Sequence, residues 1–87
     1  MLLISHRGNL YGPGEPDENK PSRIVEVINQ GFDVEIDVWS IDNKIYLGHD
    51  KPIHFVTTDF LLHPKLWCHA KNIEAFEHML NVGAHCF

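Results

Sequence analysis

The sequence is poor in three features that define large classes of proteins: cysteine, long apolar runs and basic residues. Its 87 residues include two cysteines, too few for the disulfide framework of a small secreted domain. The apolar run at residues 1–4 is far too short for a signal peptide or a membrane span. We therefore expect a cytoplasmic protein without a membrane-spanning segment.

Acidic side chains outnumber basic ones. Twelve aspartates and glutamates face seven lysines and arginines, so the net charge is -5 when the histidines are neutral. Because nucleic-acid-binding domains usually carry a basic patch, we expect no nucleic-acid partner. Seven histidines are the one compositional excess. Imidazole transfers protons near neutral pH and also ligates metals, so this excess points weakly towards chemistry.

Hydrophobic periodicity and turn residues predict alternating strands and helices. The predicted strands cover residues 2–5, 33–39, 44–50 and 65–70, and the predicted helices run from Pro21 to Gly31 and from Asn72 to Gly83. This alternation favours an α/β fold built from parallel strand–helix units.

The segments between these elements carry turn signals. Residues 8–19 are rich in glycine, proline and carboxylates and predict a loop, in which Tyr11 is a candidate substrate contact. A tight turn at residues 42–43 predicts a hairpin. Residues 50–64 are expected to be irregular, with one helical turn near 59–62. Residues 84–87 are typical of a strand that is beginning.

Polar residues follow or interrupt the predicted strands where an α/β fold places its ligands. Glu35 and Asp37 are two residues apart on a strand, so their carboxylates share one face. A divalent cation would relieve their mutual repulsion. A plain solvated strand face is nevertheless the commoner cause of such alternation, and both interpretations stay open here.

Two histidines lie at strand ends. His6 precedes Arg7 and Gly8, and His49 precedes Asp50. A single histidine is more often structural than catalytic, but two at strand ends favour an acid and base pair. The other histidines outside the predicted site are expected to be surface or packing residues: His54, His63, His78 and His85.

Four motifs occur in register with these elements: HRG at 6–8, EN at 18–19, GFDVEIDV at 31–38 and GHD at 48–50. Together they resemble the glycerophosphodiester phosphodiesterase family over residues 2–71. The resemblance implies a TIM-barrel-type (β/α) fold. Because such a barrel needs about 250 residues, the whole chain would be a partial domain, an N-terminal fragment with roughly the first three to four strands.

The resemblance also implies an activity and the residues that carry it. The family hydrolyses a glycerophosphodiester to an alcohol and glycerol 3-phosphate in a metal-dependent reaction. The residues matching His6 and His49 act as acid and base, and the residue matching Arg7 binds the phosphate. The residues matching Glu35 and Asp37 hold magnesium or calcium. A small-molecule phosphodiester is therefore the expected partner. The oligomeric state is left open by the sequence.

The chain departs from the family pattern on the strand at 65–70. The family has Glu-x-Lys there, with the glutamate as a metal ligand, whereas this chain has His69 and Lys71. Imidazole removes a negative charge, so manganese or zinc becomes an alternative if His69 is a ligand. Lys71 is a second candidate phosphate ligand. The alternatives to an enzyme are a non-catalytic relative that binds a phosphorylated ligand through Arg7 and Lys71, and an inactive fragment.

Overall fold

A computed structural model of the chain describes residues 4–7 and 19–86, and for Ser5 and His6 it describes the backbone alone. The predicted strand residues 2–3, most of the predicted loop (8–18, with Tyr11) and residue 87 lie outside this part. The elements, in chain order, are β1 (Ile4–His6), α1 (Pro21–Asn29), β2 (Asp33–Ile41), β3 (Lys44–Leu47), β4 (His54–Val56), α2 (Thr58–Leu61), β5 (Leu66–Ala70) and α3 (Ile73–Val82).

The long strand β2 is the centre of a mixed sheet. β1 pairs parallel with its first residues, and β3 pairs antiparallel with its last residues. β5 pairs parallel with residues 34–38 of β2. The backbone carbonyls of Glu35 and Asp37 accept hydrogen bonds from the segments that follow β1 and β3. The backbone groups of Val34 and Val38 instead form hydrogen bonds with residues that flank β5. Since alternate residues of a strand direct their backbone groups to opposite edges, β1 and β3 lie end to end along one edge of β2.

The prediction of a TIM-barrel fragment is wrong. β2 runs directly into its hairpin partner β3, and β4 adds to β3 in the antiparallel sense. A TIM barrel consists of parallel strands that are each followed by a helix, and it needs about 250 residues to close. The described residues instead form a small α/β sheet of mixed direction, in which β1, α1 and β2 make one parallel strand–helix–strand unit.

Local chemistry explains the hairpin and the end of α1. Asp42 and Asn43 have φ of 51° and 64°, the left-handed values that a two-residue hairpin turn requires. Asparagine and aspartate tolerate these values better than other residues with a Cβ. Pro21 lies in the first turn of α1, and Gly31 follows the helix with φ of 97°. The predicted turn and the predicted ends of this helix are confirmed.

Helix α3 begins and ends as its sequence predicts. The side chain of Asn72 accepts a hydrogen bond from the backbone N–H of Ala75, the usual N-cap contact. The same side chain accepts a hydrogen bond from the backbone N–H of Ser40 and donates one to its carbonyl, so it also links the start of α3 to the end of β2. Gly83 ends the helix in the left-handed conformation, with φ of 79°.

The segment 50–64 holds more regular structure than predicted. The short strand β4 pairs with β3, and α2 covers nearly the helical turn expected near 59–62. The predicted start of a strand after α3 is present as a parallel bridge between Cys86 and Cys68.

Apolar side chains of the sheet and helices form one core. The buried members are Ile24, Val27, Val34, Ile36, Val38, Ile45, Leu47, Val56, Leu61, Leu66, Cys68, Ala75 and Met79. They come from all three helices and from β2, β3, β4 and β5. None of the helices in the described ranges is long and apolar enough to cross a membrane.

Candidate active site

The centre of the candidate site is the carboxylate of Asp37, which is 1% exposed. It lies in the middle of β2, between the buried core residues Ile36 and Val38. Removing a carboxylate from water is costly unless hydrogen bonds and opposite charge compensate for the lost hydration. Asp37 has such partners from the residue after β1, from the residues that precede α1, from the segment after β3 and from β5.

Asn19 is the first partner, and it is buried as well, with 1% exposure. Its Nδ2 donates to Asp37 Oδ2 at 2.9 Å, and its Oδ1 accepts from the backbone N–H of Asp37 at 3.0 Å. Its backbone N–H donates to the carbonyl of Arg7 at 2.8 Å. Asn19 has φ of 59°, a conformation that asparagine adopts at low cost. It therefore joins the ends of two segments to one carboxylate.

Arg7 follows β1 and supplies the charge that compensates Asp37. Its Nε lies 2.9 Å from Asp37 Oδ2, and the side chains are 14% and 2% exposed. Its backbone N–H donates to the carbonyl of Glu35, and its φ of 58° is unusual for a residue with a long side chain. Strained backbone of this kind is found most often at functional sites, where surrounding contacts hold it in place.

The backbone after β3 brings His49 to the same carboxylate. Gly48 donates its backbone N–H to the carbonyl of Asp37 at 3.2 Å, and its own carbonyl accepts from Trp39 Nε1 at 2.7 Å. A Cβ on residue 48 would overlap the carbonyl oxygen of Lys51. Glycine is therefore required by the close approach of two backbone segments, and this turn fixes the start of the His49 side chain.

The imidazole of His49 lies between Asp37 and the guanidinium of Arg7. Its Nδ1 is 3.7 Å from Asp37 Oδ2, and its Nε2 is 3.4 Å from Arg7 Nη2 and 3.7 Å from Asp50 Oδ1. Nδ1 is buried and has no hydrogen-bond partner within the described ranges, although 40% of the side chain is exposed. The tautomer that carries its proton on Nδ1 faces the carboxylate and presents the Nε2 lone pair to the guanidinium.

His69 reaches Asp37 from β5 because the two residues are register partners on parallel strands, with side chains on one face. Its Nδ1 lies 3.4 Å from Asp37 Oδ1. His69 and Lys71 also line an open cavity of about 480 Å³. The remaining lining residues are Ala70, Asn72, Ile73 and Phe76. The cavity lining thus combines one cationic side chain with polar and apolar ones.

The expected metal set is Glu35, Asp37 and His69. Asp37 Oδ2 already contacts Arg7 and Asn19, and the part of the chain that the structure describes contains no group of three side chains arranged to hold a metal ion. Hard cations take several oxygen ligands, and those oxygens cannot also serve an ion pair at full strength. In this arrangement the residues do not fit a three-ligand metal centre.

The structure brings together Arg7, Asp37, His49 and His69, four of the seven predicted site residues. Lys71 lies at the neighbouring cavity. Glu35 is half-buried on the same face of β2 as Asp37, and His6 is its register partner in β1. The side chain of His6 lies outside the described part of the structure. The catalytic assignment of His6 and His49 therefore stays a prediction.

Asn19 and Trp39 belong to the site but were not assigned a role from the sequence. Asn19 belongs to the EN motif at 18–19, and that motif was the available signal for it. Trp39 lies on the polar face of β2 two residues after Asp37, and its indole fixes the turn before His49. No local pattern reveals such a contact, because it joins two strands of a hairpin through one side chain.

Comparison of the chain with protein-family models, with curated protein sequences and with solved structures found no match in any of the three. The resemblance to the glycerophosphodiester phosphodiesterase family therefore rests on the four short motifs and their order along the chain. The family and its activity stay predictions drawn from those motifs.

Proposed function

We propose that the chain binds a phosphodiester beside Asp37 and hydrolyses it to an alcohol and a phosphomonoester. The observation that carries this proposal is the 3.4 Å distance between Arg7 Nη2 and His49 Nε2, beside the buried carboxylate of Asp37. A guanidinium carries five N–H donors, so it can contact an imidazole and an anionic group together, while the imidazole exchanges a proton with the bound group.

The guanidinium of Arg7 addresses the main barrier to this reaction. A phosphodiester carries a negative charge that repels an attacking nucleophile, and more negative charge accumulates on its oxygens in the transition state. A fixed guanidinium neutralises that charge without having to reorganise. Asp37 supports this role because its ion pair with Arg7 Nε holds the guanidinium beside His49.

The imidazoles supply the proton transfers. A water molecule attacks the phosphorus atom, its proton passes to one imidazole, and the bond from phosphorus to the alcohol oxygen breaks. The leaving alkoxide takes a proton from the other imidazole, which balances the reaction. His49 is one of the two groups, and His6 at the end of β1 is the predicted second. General acid and base catalysis of this kind contributes about 10²–10⁴-fold to a rate.

The four motifs indicate that the substrate is a glycerophosphodiester, with glycerol 3-phosphate as the phosphomonoester product. The cavity that His69 and Lys71 line provides space of about 480 Å³, and Nδ1 of His69 lies 3.4 Å from Asp37 Oδ1. An alcohol or glycerol group of a diester bound at Arg7 would enter this space.

A second candidate function is binding of a phosphorylated ligand without hydrolysis. It is favoured by the direct ion pair of Asp37 with Arg7 and by the absence, within residues 4–7 and 19–86, of a three-ligand metal group. A site that lacks the family's metal would still bind a phosphate through Arg7 and Lys71.

Hydrolysis of glycerophosphocholine, followed by ³¹P NMR, separates the two functions. The assay is run with EDTA and, separately, with magnesium or manganese. We expect glycerol 3-phosphate from the wild type and a loss of about 10²-fold or more in His49→Ala and His49→Gln. His54→Ala, the same change on β4, is the matched control and should keep full activity. Circular dichroism verifies that each variant is folded.

Two outcomes would overturn the enzyme proposal. One is the absence of product under every metal condition from a folded wild-type chain. The other is product formation that His49→Ala leaves unchanged while the variant is folded.

A further inference from the structure

The carboxylate expected to hold the metal is already occupied by donors of the chain. Asp37 Oδ2 lies 2.9 Å from both Arg7 Nε and Asn19 Nδ2. The Asn19 amide donates a hydrogen bond to this oxygen and uses one of its lone pairs. Buried Arg7 Nε contacts the same oxygen as an ion pair that is not aligned as a hydrogen bond, and its positive charge disfavours a cation there. A divalent cation at this oxygen would have to displace the guanidinium and the amide.

The second oxygen faces an imidazole. His69 Nδ1 lies 3.4 Å from Asp37 Oδ1, and His69 stands where the resembled family has a metal-ligating glutamate. The change of residue removes one negative charge from the expected metal set. Together with the occupied Oδ2, it leaves the site with less anionic charge and with fewer available oxygens than a hard cation prefers.

The positive charge beside the Asp37 carboxylate comes from a side chain of the protein. Arg7 brings one fixed positive charge to the buried carboxylate, and the side chains of this ion pair are only 14% and 2% exposed. A guanidinium carries five N–H donors, so one face can contact a carboxylate while another contacts a phosphate oxygen. The Nε of Arg7 faces Asp37, and its Nη2 faces His49.

We propose that this site binds the phosphate group of its ligand through Arg7 without a divalent cation, the Arg7 guanidinium standing in place of the metal ion. This inference rests on the proposed function for the nature of the ligand. It departs from the metal dependence that the motif resemblance implies.

Dimethyl phosphate, a simple diester, is the probe for the first test. Its dissociation constant is measured by isothermal titration calorimetry with the full chain, once in excess EDTA and once in excess magnesium. We expect the two constants to agree within about threefold, a small fraction of the binding free energy. A larger loss of affinity in EDTA, or no binding under either condition, would overturn the proposal.

Variants locate the binding in the same titration. Arg7→Lys keeps the charge but loses the fork of donors, and we expect it to weaken binding about tenfold or more in EDTA. Arg23→Lys makes the same change on α1, where the arginine pairs with exposed Glu26, and should leave the affinity unchanged. Equal affinities of wild type and folded Arg7→Lys would overturn the assignment to Arg7.

Manganese provides a readout that does not involve turnover. A Mn²⁺ ion bound at Asp37 would broaden the NMR signals of His49 and His69 selectively. We expect no selective broadening in the wild type, and Asp37→Asn should behave in the same way. Selective broadening that Asp37→Asn abolishes would show a metal site and contradict the proposal.

The two proposals fail in different ways. Binding of dimethyl phosphate in EDTA without hydrolysis of any diester would overturn the enzyme function and leave the metal-independent site standing. Hydrolysis that EDTA abolishes and magnesium restores would do the reverse.

Discussion

The Nε atom of Arg7 lies 2.9 Å from Oδ2 of Asp37, an ion pair whose carboxylate is almost completely buried. This contact joins the residue that follows β1 to the middle of β2. It is more than a structural clamp, because the same guanidinium reaches His49 Nε2 at 3.4 Å. One carboxylate thus lies within 4 Å of both groups that we assign to phosphate binding and proton transfer.

Replacing Asp37 should be severely destabilising. In Asp37→Ala the guanidinium of Arg7 and the amide of Asn19 lose their shared acceptor inside the protein. Breaking a buried pair from one side costs about 3–5 kcal/mol, a large part of the stability of a small domain. Urea denaturation followed by circular dichroism measures the change in the free energy of unfolding.

The matched control is Glu26→Ala, which removes the acid of the exposed pair between Arg23 and Glu26. Exposed pairs contribute about 0–1 kcal/mol, so this variant should differ little from the wild type. Equal losses in the two variants would contradict the structural role given to Asp37.

Two substitutions of Asn19 should lower the free energy of unfolding by different amounts. Asn19→Gly keeps the left-handed backbone and loses two side-chain hydrogen bonds to Asp37, for a cost of about 1.5–3 kcal/mol. Asn19→Asp places a second carboxylate against Asp37 in a buried site and should be more destabilising at neutral pH. The free energies of unfolding of both variants give the ranking, and the reverse order would contradict the described hydrogen bonds.

Gly48→Ala tests the backbone turn that delivers His49. The added Cβ would overlap the carbonyl oxygen of Lys51, so the segment 48–53 must move. We expect the variant to keep its core strands and to lose affinity for dimethyl phosphate about tenfold or more. Gly31→Ala is the control. A Cβ there meets open space, and the backbone strain that alanine has at φ of 97° lies at the end of α1, far along the chain from residue 48. Wild-type affinity in Gly48→Ala would contradict the role of this turn.

The sequence was informative wherever a single residue determines the local backbone. The turn at Asp42 and Asn43, the N-cap at Asn72 and the end of α3 at Gly83 follow from short-range chemistry and are present as predicted. The sequence also placed His49 and Asp37 at one candidate site because both belong to strand ends, and the structure puts His49 Nδ1 3.7 Å from Asp37 Oδ2.

The sequence was less informative where distant pairing decides the structure. β4 contains three residues, too few for a periodic pattern, and it exists because β3 offers an edge for it. The barrel prediction extended a motif resemblance to the whole architecture, whereas the hairpin gives the sheet its mixed direction. The ion pair of Arg7 with Asp37 was missed for a similar reason, since a carboxylate can face a metal ion or a guanidinium with the same sequence pattern.

The two thiols should differ in reactivity. Burial, and secondarily the neighbouring Cys86, raises the pKa of the Cys68 thiol from 9.0 to about 12. Because the thiolate is the nucleophile, iodoacetamide at pH 8 should modify half-buried Cys86 well before Cys68 in the folded chain. Mass spectrometry of the labelled peptides measures the two rates. Comparable rates would contradict the burial of Cys68.

The same shift makes stability depend on pH in a defined window. The folded state keeps Cys68 protonated, so its contribution is fully present below pH 9 and is lost as the pH rises towards about 12. The slope is at most about 1.4 kcal/mol per pH unit. In Cys68→Ala this part of the dependence of the free energy of unfolding on pH should be missing, because the variant keeps every other titrating residue. Parallel pH profiles of the two proteins would contradict the shift.

The central claim is that a phosphate group binds at the place where Arg7 and His49 meet above Asp37. NMR spectra that resolve the Arg7 Nε–H signal and the histidine ring nitrogens test it most directly, during titration with dimethyl phosphate. The account predicts shifts at Arg7 and His49 that saturate together, with little change at His54 and His63. Unchanged Arg7 and His49 signals, or shifts confined to other histidines, would contradict it.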